Sequence, residues 1–412
     1  MSTYLKKIKK IKNQFGKFNN SEVENVLNVL NNDKIDYVKK LESLFSKKFK
    51  TKYSIACNSG TSGLHTALAS LDLNKGDEVI VPGLTVVMDA YAALHLNATP
   101  VFADVDEDTF LITAETIKSK ITKKTKAIIV VSLQGLPVDI DPIIKLAKEK
   151  NIFVIEDNAQ DMLGIYKKRI SGCSGDIGVW SFENKKHLSG ATEGGMISTN
   201  NKLLAEKLRK FAGIGYKNMT ASGGRTSLSI SMVQDPDYER FDTVGLNYRM
   251  PQIVAAVCYS QLVNVKKIVS KRVKVAKYFS KAIENSNILV EQKTPKYCTH
   301  TNYTFAAKLV SKKIKWKKFY NLYKSKTGDG FYGACVCPHL EPSIKSHLNK
   351  IGCSKCNWKK NKCFCTKKGY LPVAEKIQKQ IMQFKTNYRN PYEAKKKANI
   401  LKSIINMIET KI

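Results

Sequence analysis

From residue 53 onward, short runs of apolar and β-branched residues alternate with segments whose apolar positions recur at helical spacing. YSIAC (53–57) leads into TSGLHTALASL, and EVIVP (78–82) leads into TVVMDAYAALHLN. PVFADV, KAIIVV and IFVIED follow, with DIDPIIKLAKEKN between the last two. Strands that are apolar throughout must be buried on both faces, and amphipathic segments between them act as crossovers, so the pattern predicts an α/β fold with a mainly parallel central sheet. GVWSFE (178–183) and GGMISTNN (194–201) lie too close for a crossover helix and are expected to pair antiparallel or to diverge.

Past about residue 262 the rhythm changes to a long basic helix, VNVKKIVSKRVKVAKYFSKAIE, then short strands such as YTFAAKLV, then a helical C-terminus, EAKKKANILKSIINMI. This predicts a large unit over 1–262, opening with a basic arm and helices, and a smaller α+β unit over 263–412. Residues 221–242, ASGGRTSLSISMVQDPDYERFD, are Gly/Ser-rich and poor in strand signals, and loops of that length are uncommon unless they carry function.

Composition changes this picture in two respects. The 412 residues are 43% hydrophobic and 25% charged, which excludes a disordered scaffold. Against 35 acidic residues stand 69 basic ones, a net charge of +34, yet only seven of the 69 are Arg and 62 are Lys. Such a field steers anionic partners. The Lys residues are nevertheless spread along the whole chain, Arg is scarce, and no helix-turn-helix, zinc-finger or aromatic-basic motif accompanies them, so a nucleic-acid surface is not expected. The plain reading is a solvated basic face from Lys-rich coding. No apolar run approaches the roughly 20 residues that span a bilayer, and MSTYLKKIKKIKNQF lacks the apolar core of a signal peptide, so the expectation is a cytoplasmic protein. Of the ten Cys, Cys57, Cys173 and Cys258 sit in apolar contexts and read as reduced core thiols.

Three segments carry candidate chemistry. NSGTSGLHTAL places Ser59, Gly60, Thr61 and Ser62 where a strand ends and a helix starts, an arrangement that offers backbone N–H groups, hydroxyls and a helix dipole to a phosphate, or merely caps the helix. In IFVIEDNAQD, Asp157 ends a strand so apolar that its carboxylate belongs at the buried rim of the sheet, where it needs a cation such as a protonated pyridine nitrogen. Capping of a following helix is the competing role for Asp157, and Gln160 could lie beside it. In DIGVWSFENKKHLSGATEGGMIST, Lys186 follows an apolar strand on a Gly-rich turn, with Ser181 as a further phosphate donor. Together these groups suggest pyridoxal phosphate (PLP).

In NSGTSGLHTAL, GDEVIVPGLTVV, ATPVFADVDEDTF, KAIIVVSLQG, VIEDNAQ, GDIGVWSFENKKHLSGATEGGMIST and GLNYRMPQIVAAV, with a weaker LPVAEKIQ, the chain resembles the DegT/DnrJ/EryC1/StrS sugar aminotransferases, which are fold-type-I PLP enzymes. The resemblance implies that Lys186 bonds covalently to the cofactor aldehyde, Asp157 meets the pyridine nitrogen and Gln160 approaches the phenolic oxygen. It also implies that Gly60, Thr61 and Ser181 hold the phosphate, and that Asn247 reaches it from the partner subunit of a homodimer. Some relatives carry His in place of the Lys and dehydrate their substrate; here F-x-x-x-K-x-L keeps Lys186 in register, which favours transamination. Val86 stands where relatives commonly have an aromatic, SLQG (132–135) replaces HxYG, and the stretch 214–242 is longer than usual.

The implied reaction moves an amino group from glutamate to a nucleotide-linked keto-sugar, taking a 4-keto-6-deoxyhexose to a 4-amino sugar of the perosamine or viosamine type. The alternatives are amination at another position or of a sugar phosphate, and a non-catalytic basic regulatory or nucleic-acid-binding protein on the same scaffold. Arg225 and Arg249 are the guanidiniums nearest the motifs, available to clamp a phosphate or carboxylate, with a dimer-interface ion pair the favoured role for Arg249. Cys353-x2-Cys356 and Cys363-x-Cys365 supply four thiols, but the second spacing is short for zinc; reduced thiols and no metal are expected.

Overall fold

A computed structural model of the chain describes residues 18–31, 34–223, 228–331, 333, 335–351 and 364–410. The strands in chain order are β1 (Tyr53–Cys57), β2 (Glu78–Pro82), β3 (Thr99–Ala103), β4 (Thr125–Val131), β5 (Phe153–Asp157), β6 (Ile165–Tyr166), β7 (Arg169–Ile170), β8 (Ile177–Ser181) and β9 (Gly195–Thr199). Seven of them form one sheet in the order β1-β9-β8-β5-β4-β2-β3. All neighbours are parallel except β9, which runs antiparallel to both β8 and β1. The close pair of strands flanking the lysine segment therefore pairs antiparallel, as its short connection requires.

Strands β2, β3, β8 and β9 are buried at every position, which their Val, Ile and aromatic content anticipates. The helices Tyr37–Phe49 and Gln252–Val263 cover the sheet near β8. The first presents Tyr37, Leu41, Phe45 and Phe49 at helical spacing, and Phe45 and Phe49 pack edge-on to Trp180 of β8 at 4.9 and 5.2 Å. Helix Tyr37–Phe49, ahead of β1, thus contributes to the core. Helices Gly60–Ala69 and Lys202–Ala212 pack on the same sheet.

Beyond the break at Asn264, helix Val265–Ile283 packs against helix Pro391–Glu409 and a second three-stranded sheet. That sheet contains β10 (Leu289–Glu291), β12 (Thr304–Leu309) and β13 (Ile381–Lys385), in the order β10-β12-β13, all antiparallel; the short β11 (Cys298–Thr299) pairs instead with β6. The core under it is built by Phe279, Phe305, Phe319 and Phe384 with Leu401 and Ile405. No single helix among the described residues is long and apolar enough to cross a membrane.

Glu156, one residue before the end of β5, is buried and accepts N–H bonds from Gly172 (2.8 Å), Ser174 (2.7 Å) and Gly175 (2.6 Å). Burial pushes its carboxyl above the ordinary range, and these three donors oppose that. The loop they anchor feeds β8. Glu156→Gln turns one acceptor into a donor facing an N–H, so the variant should lose about 1–3 kcal/mol of stability, read as a lower midpoint in thermal or urea unfolding.

Candidate active site

Parallel strands present their C-terminal ends to one edge of a sheet, and ligands of open α/β folds bind there. At that edge lies a cavity of about 530 Å³ lined by Gly60, Thr61, Val86, Asp157, Gln160, Ser181 and Lys186, with Tyr303, Phe331 and Gly333 contributed by the C-terminal part of the chain. Six of the seven expected site residues are thereby brought together from three separate segments. Val86 lines the cavity, and Phe331 and Gly333 reach it from the stretch after helix Trp316–Thr327.

Register fixes Asp157. Its Cα pairs with Val131 of β4 on one side and Val179 of β8 on the other, so the carboxylate emerges between two apolar strands and is 5% exposed. Oδ1 accepts the Ala159 N–H at 2.8 Å and closes a turn; β5 is followed by β6 and not by a helix, so the helix-capping role is not realised. Burial raises the carboxyl above its usual range, opposed by that N–H and by the Lys186 ammonium. Gln160 accepts the Gln134 N–H through Oε1 at 2.8 Å, and its amide, which also meets the Cys335 thiol, lines the cavity. Gln134 holds a left-handed φ of 64°, its Oε1 accepting from Thr304 at 2.5 Å and its Nε2 donating to Cys335 Sγ at 3.3 Å.

The phosphate-type cradle is built at the start of helix Gly60–Ala69. Ser59 Oγ takes the Ser62 N–H and Ser59 O takes the Gly63 N–H, so among the described residues the N–H groups of Gly60 and Thr61 are left to a ligand. Ser62 itself does not serve: its hydroxyl is committed to Asn58 Oδ1 (2.6 Å) and Ser59 O (2.8 Å). Helix start and β8 meet so closely that a Cβ at residue 60 would lie 2.7 Å from Ser181 Cβ. Only glycine lets the two donor sets share one cradle.

Lys186 sits on the loop between β8 and β9, anchored on either side by Phe182 and Leu188, both fully buried. A buried guanidinium reaches this loop from helix Val265–Ile283: Arg272 donates to Lys185 O (2.7 Å), Lys186 O (2.8 Å) and Tyr303 O (2.8 Å). The Lys186 amine lies 4.8 Å from the Tyr303 ring centre. Burial lowers its affinity for a proton while the Asp157 carboxylate restores part of it. The adjacent His187 is buried beside Thr301 O at 3.0 Å, and burial together with Arg272 holds its imidazole well below the ordinary range, hence neutral.

Asn247 does not join this cavity. It is exposed, and its Oδ1 accepts from Arg249 Nε at 2.9 Å. Arg249 therefore forms a local hydrogen bond within its own chain. Arg225 and three of the clustered Cys, 353, 356 and 363, lie outside the described residues; among those described, no group of His, Cys, Asp and Glu could hold a metal. Sequence reasoning missed Arg272, Tyr303 and Gln134. The signal for Arg272 was available, since it falls in register with Val269, Val275 and Phe279 on an otherwise apolar helical stripe.

Residues 14–329 match the model of the DegT/DnrJ/EryC1/StrS aminotransferase family. The chain is 36% identical over 271 residues to the GDP-perosamine synthase of Escherichia coli O157:H7, covering 66% of this chain and 69% of that protein. It is 36% identical over 248 residues to the GDP-perosamine synthase of Caulobacter vibrioides, covering 60% and 62%, so less than two thirds of the latter. An aminotransferase structure from Psychrobacter cryohalolentis superposes with a TM-score of 0.80 at 26% identity over 95% of this chain and 98% of that one. The E. coli GDP-4-keto-6-deoxy-D-mannose-3-dehydratase shares the fold at 22% identity, TM-score 0.79, over 94% and 97%.

Arg272→Ala would take a donor from Lys185 O, Lys186 O and Tyr303 O, the last of which keeps the Thr386 hydroxyl at 2.7 Å, and Arg272→Lys replaces the planar fork with a point charge. Both variants should unfold earlier than wild type, the alanine variant by about 2–4 kcal/mol in urea titration, with the lysine variant between the two.

Proposed function

The chain belongs to the DegT/DnrJ/EryC1/StrS aminotransferase family, whose cofactor is PLP, and from that premise we propose that it transfers an amino group from glutamate to a nucleotide-linked 4-keto-6-deoxyhexose. One observation carries the reading. An amine of weakened basicity, a buried carboxylate and a helix-start cradle line the same cavity.

The residues present fit the cofactor. Gly60 and Thr61 N–H and the Ser181 hydroxyl suit its phosphate, the Gln160 amide its phenolic oxygen, the Asp157 carboxylate its pyridine nitrogen and the Lys186 amine its aldehyde. When bound, PLP supplies an electron sink for the carbon next to the substrate nitrogen. Asp157 holds a proton on the ring nitrogen and so keeps that sink open. Lys186 Nζ would serve as the base that holds the proton taken from that carbon and delivers it to the cofactor's aldehyde carbon, on the other side of the nitrogen. Arg272, through the two carbonyls it binds, keeps Lys186 aimed at the cavity, and Tyr303 and Phe331 narrow access by water. His187, turned onto Thr301 O, is not placed to replace Lys186, which supports transamination over dehydration.

Two further elements belong to the proposal. The division near residue 262 into a cofactor-binding unit and a smaller unit is supported by the second core, whose residues all come from 275 onward. A homodimer is supported by the exposed apolar side chains Phe241, Val244, Leu246 and Ile253 around Asn247, a residue with no place in its own chain's cavity. A second copy covering that patch would deliver Asn247 to the neighbouring cradle.

The purified protein loaded with PLP should absorb in the visible, Lys186→Ala should lose that band, and glutamate alone should bleach it in a single turnover, with amination of keto-sugar nucleotides following. Activity of Lys186→Ala should fall at least about a hundredfold. A colourless protein that binds DNA in a salt-sensitive manner would overturn the assignment in favour of a non-catalytic role. Val244→Asp should shift light scattering toward the monomer mass and lower cofactor retention together; a variant still dimeric removes this patch from the interface.

A further inference from the structure

Behind the cavity wall lies a second carboxyl that the mechanism above does not use. Asp89 is 0% exposed, inside an otherwise apolar helical turn, Met88–Leu94. Its Oδ2 accepts the Thr85 hydroxyl at 2.5 Å, while its Oδ1 has no donor among the described residues. Within hydrogen-bonding reach stands the carboxyl of Asp157. The charged groups that face Asp89 are Asp157 from β5 and Lys186 from the β8–β9 loop, two carboxyls against one amine.

Two bare carboxylates cannot share a dry site. An oxygen that has no donor and looks onto another acceptor is satisfied by carrying the proton itself, and that proton then bonds to the neighbouring carboxylate. Asp157 is the better anion of the two because Ala159 N–H also stabilises it, whereas Asp89 has a single neutral hydroxyl.

We propose that Asp89 is a positioning residue of this site that holds one proton in common with Asp157, so that the pair carries a single negative charge, directed at the cofactor's ring nitrogen. The inference rests on the reading of Asp157 given above. The proton moves only between the two carboxyls, and the charge of the pair stays at minus one. Burial and the adjacent Asp157 charge both push Asp89 well above the ordinary carboxylate range, consistent with its keeping the proton at neutral pH.

The cofactor-free protein tests the shared proton. A carboxyl whose affinity for a proton is raised on folding must take one up, and this costs progressively more as pH climbs above the unfolded group's range. Asp89→Asn has nothing to take up, so its melting temperature should exceed that of wild type increasingly from about pH 4 to pH 8. The infrared band of a protonated carboxyl should be lost in the same variant at neutral pH. An unchanged band, or a melting difference independent of pH, overturns the proposal.

PLP titration followed by fluorescence separates this inference from the one beneath it. Asp89→Asn retains an N–H donor toward Asp157 and should keep affinity within about threefold, whereas Asp89→Ala should weaken it roughly tenfold. Asp157→Asn should weaken it further still. If Asp157→Asn binds as tightly as wild type, the assignment of Asp157 fails; if it weakens binding while Asp89→Ala does not, Asp157 stands and the role of Asp89 is refuted.

Discussion

The attraction between the Asp157 carboxylate and the Lys186 amine, at a depth where water can solvate neither fully, is the interaction around which this end of the molecule is organised. Each group alone would be costly to bury. The charge of each eases the burial of the other without a direct ion pair: Asp157 gives one oxygen to Ala159, and burial leaves the amine a weaker base than a surface lysine. A structural ion pair would have been completed by closing the two groups onto each other. Here the structure keeps about 530 Å³ of open space beside them, which is the condition for a ligand to enter with its own charges.

Holding a flexible lysine at such a place needs support from outside the sheet. The β8–β9 loop is pinned by Phe182 and Leu188 in the core formed with helix Tyr37–Phe49, and by Arg272 from helix Val265–Ile283. Both flanks of the chain thus converge on the same few peptide groups. A guanidinium suits this task because its planar fork reaches two carbonyls in succession without needing a carboxylate partner. Among seven arginines in a chain of 62 lysines, this one is nearly fully buried, and burial beside the site is where the difference between the two cations matters most.

Much of this was legible in the sequence because it follows from local rules. Continuously apolar strands dictated a parallel sheet, a charged residue at the end of such a strand had to lie at its rim, and Gly-Thr after a strand had to open a helix with free N–H groups. Hence Gly60, Thr61, Asp157, Gln160, Ser181 and Lys186 share one cavity. What local rules could not supply was long-range pairing. Asp89 reads as one polar residue in a short apolar helix until β5 places Asp157 beside it, and Tyr303 reads as a strand residue until the C-terminal part folds back over the loop. Ser62 shows the opposite failure, a hydroxyl with the right position in the motif but turned to cap its own helix. Asn247 lies in the expected motif but outside its own chain's cavity, exposed and bonded to Arg249, and the local motif gave no sign of that placement.

The charge of the chain also takes on a different meaning at the site. The ionisable groups that line the cavity are Lys185 and Lys186 against Asp157, Glu183 and Glu193, two positive and three negative, although the whole chain carries +34. Over distances beyond a Debye length of about 8 Å the surface field is largely screened, so the lysines act on how often an anion arrives and little on which one stays. Retention must come from groups within contact range, and at the cradle these are N–H dipoles and a hydroxyl, which recognise the shape and acceptor pattern of a phosphate more than its net charge. A cradle of this kind suits an anion that presents a phosphate, while Glu183 and Glu193 disfavour one that offers charge without that pattern. The basic surface and the selective cavity are therefore separate devices, and a strongly cationic protein can still carry a site tuned by a single buried carboxylate.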